Sequence, residues 1–350
     1  MIFLANTSSL HVSVWFRLYE KLNRNVQAIY SVHDFDKSLE KNFVFRKIYF
    51  LNKIVSYFLL GARLFFSKSD IRLLHAHGAS GYGIAALISG KSYVVTVYGS
   101  EIFGSHSFLY HYFVGKVLKH ASAITVTSVA ARIRVESIIG ENEKTFLFHT
   151  GINTDYLNMF TKKEKSGKFV ITSVRNTARQ YRTDDIIEAY ILFKSRSEAV
   201  EVELNIFLGN GDESYFNELR TRYSDYGINF ISGKLSYEQI LTLISDSNLC
   251  ISFPVSDQLS STLLECIYLK RKVLSSDLES YSVLKDNISE ASFKSFKTKE
   301  ELAIAIQDSF WGRGKNDDIV KMRERQYIKD YFSERSAVKP LKHMLDCLGR

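Results

Sequence analysis

Two carboxylates, Asp257 and Glu265, stand eight residues apart in SFPVSDQLSSTLLECIYL, residues 252–269, with Ser256, Ser260, Ser261 and Thr262 around and between them. An apolar run (Leu249, Ile251, Phe253) leads in and an apolar helical pattern leads out, so the polar stretch is a loop between strand and helix. One use of these residue types is capping: TLLE, Thr262 to Glu265, has the Thr-x-x-Glu spacing of a capping box. Another is ligand binding, since free N–H groups at a helix start attract phosphate and a carboxylate accepts hydrogen bonds from sugar hydroxyls. A cap accounts for Glu265 but not for Asp257 or the serines. Arg175 ends a second apolar run, FVITSV, and RNTARQYR sets it beside Arg179 and Arg182. Guanidinium groups so spaced suit a diphosphate through paired hydrogen bonds, the alternative being a solvated basic loop. His75 and His77, in HAH, close a third run. They are expected to leave the strand on opposite faces, with no Asp, Glu or Cys at ligand spacing; a metal site is therefore not expected. One imidazole should be buried and satisfied and the other should face a cleft. GASGYG is a Gly-rich turn into a helix, and GNGD (Gly209 to Asp212) reads as a tight turn.

The elements that must hold these groups alternate along the whole chain. Strand candidates are MIFLA, VQAIYSV, IRLLHAH, YVVTVYG, AITVTS and KTFLFHT, then KFVITSVR, VELNIFLG, INFISG, NLCISF and RKVLSSD. Helical patterns such as TDDIIEAYILFKSRS and SYEQILTLISDS lie between most of them. Repeated strand–helix units imply parallel sheets covered on both faces. The polar, Lys-rich connector at 153–168 divides the strands into two doubly wound α/β domains, as a length of 350 residues leads one to expect. The unusual loops all follow strand carboxyl ends, where such folds bind ligands, and are expected to line one interdomain cleft.

Three cysteines without CxxC spacing argue against a disulfide framework or zinc cluster. The first residues lack the basic and long apolar regions of a signal peptide, and no apolar stretch is long enough to span a bilayer. A net charge of +8 points to an anionic partner or to solubility alone. No motif with interleaved basic and aromatic residues supports a nucleic-acid partner.

Taken in order, the stretches resemble glycosyltransferase family 4 enzymes of the GT-B fold over about residues 1–310, above all bacterial members that build surface polysaccharides. HAHGASGYGIAAL and VVTVYGSEI resemble the acceptor-domain loops, and TGINTDYL resembles the signature before the second domain. TSVRNTARQYRTDDIIEAY resembles the donor-phosphate loop, and FISGKLSYEQILTLISDSNLCISFPVSDQLSSTLLE runs into a Glu-x7-Glu-like motif. The resemblance implies two Rossmann-like domains facing a cleft: an acceptor domain at 1–155, with a C-terminal helix (335–350) packed back on it, and a nucleotide-sugar domain at 168–334. It implies retaining, metal-independent transfer from a nucleotide diphosphate sugar, with no cofactor. Glu265 would hold the donor ribose, Asp257 the transferred sugar, and Arg175 the charge growing on the leaving nucleotide. Arg179, Arg182, Ser261, Thr262, Leu263 and Leu264 would surround the diphosphate, and Gly233 and Lys234 the base. His77, Tyr98, Glu101 and Ser9 would lie on the acceptor side. The sequence departs from the family in having Asp257 for the first Glu, Ser260 and Thr262 for loop Gly and Pro, Gln180 or Tyr181 near a Lys position, and NTSSLH for a Gly-Gly loop. Rival expectations are a catalytically impaired GT-B-like interaction subunit and a nucleotide-sugar epimerase, for which Glu101 is the candidate acid/base in the first domain.

Residues 37–68 combine seven Lys or Arg with many aromatics. Read as one helix, they place Asn42, Arg46, Asn52, Lys53, Ser56 and Arg63 on a polar arc and leave a wide apolar one. This predicts either a packed helix with a solvated basic stripe or an interfacial helix on an anionic membrane. With a polyprenyl-diphosphate-linked saccharide acceptor, the second reading sets the protein in the cytoplasm, peripheral at the inner face of the plasma membrane.

Overall fold

The computed structural model describes residues 1–7, 10–33, 44–47, 52–68, 71–104, 106–160, 167–197, 201–312 and 318–349. The chain forms two compact units, Met1–Gly151 with Glu334–Arg350, and Ile152–Ser333. The first unit begins β1 (Ile2–Leu4), α1 (Leu10–Lys21), β2 (Ala28–Ser31), β3 (Val44–Lys47), α2 (Lys53–Phe65), β4 (Leu74–His77) and α3 (Gly81–Ile88). It continues with β5 (Tyr93–Thr96), α4 (Ser100–Phe103), α5 (Phe108–His120), β6 (Ala123–Val126), α6 (Val129–Ile139) and β7 (Thr145–Leu147). Its seven strands lie in the order β3-β2-β1-β4-β5-β6-β7, and each neighbouring pair is parallel. Both faces are covered, which is why the strands are short unbroken apolar runs. Leu4, Leu74, Val95 and Ile124 pack with Leu60 of α2, Ala85 of α3 and Val117 of α5. Their strand neighbours Phe3, Ile29, Val94 and Ala123 pack on the other face with Trp15 and Leu18 of α1.

Residues 37–68 are not one helix. VFRK at 44–47 pairs in parallel register with Ala28–Ser31, and α2 starts only after Asn52, whose side chain accepts from Ile54 N at 2.8 Å. A β-branched and aromatic run favours the extended chain, and an Asn cap fixes a new helix start. The other parts of the expected helix, residues 37–43 and 48–51, lie outside the described residues. The expected polar arc of α2 is also corrected: Ser56 is buried with Leu60, Gly61 and Leu64. Gly61 permits this approach, because a Cβ there would lie 2.7 Å from the Ile88 Cβ of α3.

The second unit comprises α7 (Thr154–Leu157), β8 (Phe169–Ser173), α8 (Thr183–Ser195), β9 (Val202–Phe207), α9 (Glu213–Arg222), β10 (Asn229–Ile231) and α10 (Tyr237–Asp246). Then follow β11 (Leu249–Ser252), α11 (Ser261–Tyr268), β12 (Lys272–Ser276), α12 (Ser282–Asn287), β13 (Phe293–Phe296), α13 (Lys299–Trp311) and α14 (Asp318–Phe332). The sheet order is β10-β9-β8-β11-β12-β13, again all parallel. The two strands absent from the sequence reading are β3 and β13. The last helix, α15 (Glu334–Cys347), belongs to the first unit. Leu341 and Met344 join the core beside Trp15, and buried Glu334 accepts from Arg17 Nε at 2.8 Å and Lys21 Nζ at 2.9 Å.

Strand order reverses beside β8 in the second unit and beside β1 in the first. At such a switch point the loops after adjacent strands part and leave a crevice at their carboxyl ends.

Candidate active site

The loops after β8 and β11 carry Arg175 and Asp257, so the switch point of the second unit brings together residues 82 positions apart. Arg175 Nη1 lies 3.0 Å from Asp257 Oδ2, with 15% and 18% of the two side chains exposed. The same Nη1 donates to Ser260 Oγ at 2.7 Å, and the guanidinium lies over the Tyr181 ring, 4.4 Å from its centre. Tyr281, fully buried, donates its hydroxyl to Asp257 Oδ2 at 3.0 Å. The two loops are tied by Val255 N to Gln180 O at 2.8 Å. Burial opposes the Arg175 charge, but Asp257, Tyr181 and Tyr281 outweigh it and hold the guanidinium above its ordinary pKa. Burial, then Asp257, pushes the Tyr281 hydroxyl well up.

Glu265 is not a cap. The N-cap of α11 is Ser260, and it makes no side-chain capping bond, because its hydroxyl accepts from Arg175 instead. Glu265 therefore falls inside the helix, buried, with Tyr237 donating to its Oε1 at 2.6 Å. Burial raises its pKa to about 7 against the opposing effect of that hydrogen bond. Ser261 and Thr262 are half-buried in the first turn of α11, while Leu263 and Leu264 are core residues.

The three guanidiniums part company. Arg179 is exposed, pairs with Glu218 of α9 at 2.9 Å and stacks on Tyr215. Arg182, at φ 48° and ψ 48°, pairs with Asp185 and lies over Phe253. Gly233 and Lys234 are exposed in the loop from β10 to α10, with Gly233 at φ 86°. GNGD is the tight turn expected, with Gly211 N donating to Leu208 O at 3.0 Å and Asp212 N to Thr177 O at 2.7 Å. Tyr181 was read only as standing near a family Lys position, and Tyr237 and Tyr281 went unread in the sequence. Tyr237 had a local signal, its place just after the cap in LSYEQ; Tyr281 had none.

In the first unit the carboxyl ends of β4 and β5 hold His77, Tyr98 and Glu101. His75 and His77 share one face, their rings stacked 4.5 Å apart. The expectation of opposite faces fails because strand alternation has a period of two, which puts residues i and i+2 on the same side. His75 is buried between Tyr19 (3.2 Å) and Thr96 (2.8 Å), and burial lowers its pKa to about 3. His77 Nδ1 meets the Tyr98 hydroxyl at 2.8 Å. Both Glu101 oxygens accept backbone N–H groups, Ala79 at 3.1 Å and Tyr98 at 3.0 Å, so this carboxylate pins two loops together. That occupation counts against Glu101 as an epimerase acid/base. Ser9 lies outside the described residues. A group the sequence reading missed gathers after β2: the Tyr82 hydroxyl meets His33 Nδ1 at 2.9 Å and accepts from Val32 N at 3.2 Å. Among the described residues no group of three or more His, Cys, Asp or Glu is placed to hold a metal ion.

Residues 1–128 match the family model described as "Glycosyl transferase 4-like". Anabaena HepE, solved in complex with UDP and glucose, is 12% identical with a TM-score of 0.80 over 99% of this chain and 98% of that one. The fold is GT-B. The same GT-B architecture recurs in a Rickettsia africae glycosyltransferase, 14% identical with a TM-score of 0.77 over 99% and 98% of the chains. It recurs again in WaaG, a glycosyltransferase involved in lipopolysaccharide biosynthesis, 13% identical with a TM-score of 0.75 over the full length of both chains. No curated protein matches the sequence. The resemblance read from the motifs thus agrees with the family model over residues 1–128 and with the GT-B fold over the whole chain.

Proposed function

We propose that this chain transfers a sugar from a nucleoside diphosphate sugar to a saccharide acceptor, with retention of configuration and without a metal ion. The observation that carries the reading is the cluster at the β8–β11 switch point, where Arg175, Asp257 and Ser260 meet at the start of α11. A guanidinium and a helix N-terminus can together stabilise a departing diphosphate, the work a divalent cation does elsewhere. Asp257, held by Tyr281, is suited to accept hydroxyls of the transferred sugar. HepE, a structural neighbour, is solved with UDP-glucose, which supports a donor of this class. WaaG supports a role in surface polysaccharide synthesis, and with it a lipid-linked acceptor met at the inner membrane surface. The second reading, an impaired GT-B-like subunit, draws on the Arg175–Asp257 pair, which already neutralises the cation.

Calorimetry with UDP, GDP and their sugars, followed by turnover assays, tests both. The expected result is nucleoside diphosphate binding that Arg175→Ala weakens at least about tenfold, the loss of one charge-assisted contact. Binding without hydrolysis or transfer on any acceptor favours the impaired subunit. No affinity for any nucleoside diphosphate overturns the donor reading.

A further inference from the structure

We propose that Tyr237 is a positioning residue of the donor site, holding Glu265 by Oε1 so that Oε2 is presented to the vicinal hydroxyls of the donor ribose. The inference rests on the reading above that the second unit binds a nucleoside diphosphate. Tyr237 is the first residue of α10, and a capping box fixes that helix start: Ser236 Oγ accepts from Gln239 N at 3.2 Å and Ser236 N donates to Gln239 Oε1 at 2.8 Å. Its ring stacks on Tyr156, 5.9 Å between centres and 16° between planes. Tyr156 is itself held, its N–H bonded to the Asn153 cap at 3.0 Å and its ring against Phe160 at 5.3 Å. Two elements therefore set the Tyr237 hydroxyl in place before it meets Glu265 Oε1 at 2.6 Å.

Glu265 needs such a holder. Its neighbours Leu263, Leu264, Cys266 and Ile267 are all buried, and Oε2 receives no hydrogen bond from any described residue. A buried carboxylate satisfied at one oxygen has strong acceptor capacity left over, and a carboxylate oxygen can take donors from neighbouring hydroxyls. The titratable groups around it are Tyr237 from α10 and Cys266 on its own helix, which meets Cys250 of β11 and feels Arg271. None of these gives Glu265 a cationic partner, so the Tyr237 hydrogen bond is what favours its ionised form.

Calorimetry of UDP and GDP across pH 5.5–8.5, on the wild type and Tyr237→Phe, tests the assignment; Phe keeps the stack on Tyr156. Wild-type affinity should rise as Glu265 ionises near pH 7. Without the Tyr237 hydrogen bond Glu265 ionises later, so the midpoint moves to higher pH, and affinity at pH 7 falls about tenfold. With 2′,3′-dideoxy analogues the difference between wild type and variant should vanish. An unchanged midpoint, or an equal loss for the native and dideoxy nucleotides, overturns the positioning role while leaving the donor reading intact. Failure of the wild type to bind either nucleotide at any pH overturns both. If Tyr237→Phe lowers the melting temperature, Glu265→Gln supplies the comparison: it keeps the Tyr237 hydroxyl and its stack and should abolish the rise in affinity near pH 7. A Glu265→Gln affinity that still rises through pH 7 as the wild type's does would sink the proposal.

Discussion

At the scale of the residue, Glu265 couples the candidate site to folding. Its pKa is raised from 4.5 to about 7, chiefly by burial. Below pH 4.5 the carboxyl is protonated folded or unfolded. Between pH 4.5 and about 7 the unfolded chain releases this proton while the folded one keeps it, so stability from this group is lost as pH rises. The loss is roughly 3 kcal/mol at most, at 1.36 kcal/mol per unit. Gln at 265 stays neutral and escapes it. Urea unfolding of wild type and Glu265→Gln at pH 4.5 and pH 8 should show the variant gaining on the wild type by up to about 3 kcal/mol across the interval. A difference that does not change with pH would mean that Glu265 is solvated, not buried. The sequence told only part of this. It marked the carboxylate and its spacing from Asp257, but Thr262 and Glu265 also matched a capping box, and local spacing cannot say which residue starts a helix. The decision came from Arg175, 85 residues from Ser260 in sequence, which draws the Ser260 hydroxyl away from the helix end.

At the scale of the element, α11 and α13 start differently. Thr298 caps α13 with a full capping box, whereas Ser260 caps α11 by backbone position alone. Thr298→Ala should therefore cost about 1 kcal/mol and speed amide exchange at Glu301, without touching nucleotide affinity. Ser260→Ala should leave exchange at Thr262 and Leu263 unchanged and weaken nucleotide binding, since Arg175 loses a fixed partner. Faster exchange in the first turn of α11, with affinity intact, would make Ser260 an ordinary cap. Eleven of the strands were legible because each is a short apolar run, most of them rich in β-branched or aromatic residues and closed by a turn-forming residue such as Gly, Ser or Asp. The exceptions have physical reasons. β13, FKSF, is an edge strand whose Lys294 and Ser295 break the apolar run. β3 sits in a stretch whose Lys, Arg and aromatic residues also fit a helical arc, and only pairing with β2 decides between the two.

At the scale of the molecule, the first unit carries more exposed apolar surface than scattered single residues account for. On α2, Ile54 (66% exposed), Phe58 and Phe65 face outward, and Phe66 (79%) follows the last turn. On α5, Phe108 (85%), Leu109 and Tyr112 do the same. Both helices pack on α3, so the two apolar faces flank one helix on one side of the sheet. Exposed apolar groups gathered on one side of a unit are candidates for a docking surface. Exposed cations lie on the same helices: Lys53 and Arg63 on α2, and Lys116 with Lys119 on α5. Aromatic rings with a basic surround suit the headgroup zone of an anionic bilayer, where each cation adds about 1 kcal/mol. No described helix is long and apolar enough to cross a membrane. A lipid-linked acceptor would make such a contact useful, since its sugar would project from that surface. The expected outcome is flotation with vesicles containing anionic lipid at low salt, weakening as salt rises. Phe58→Ser with Phe65→Ser should reduce binding at every salt concentration, because both rings are outward-facing and their loss leaves the core intact. Lys53→Gln with Arg63→Gln should reduce it at low salt only. If the wild-type protein ignores anionic vesicles at low salt, the patch serves another partner and the membrane reading falls.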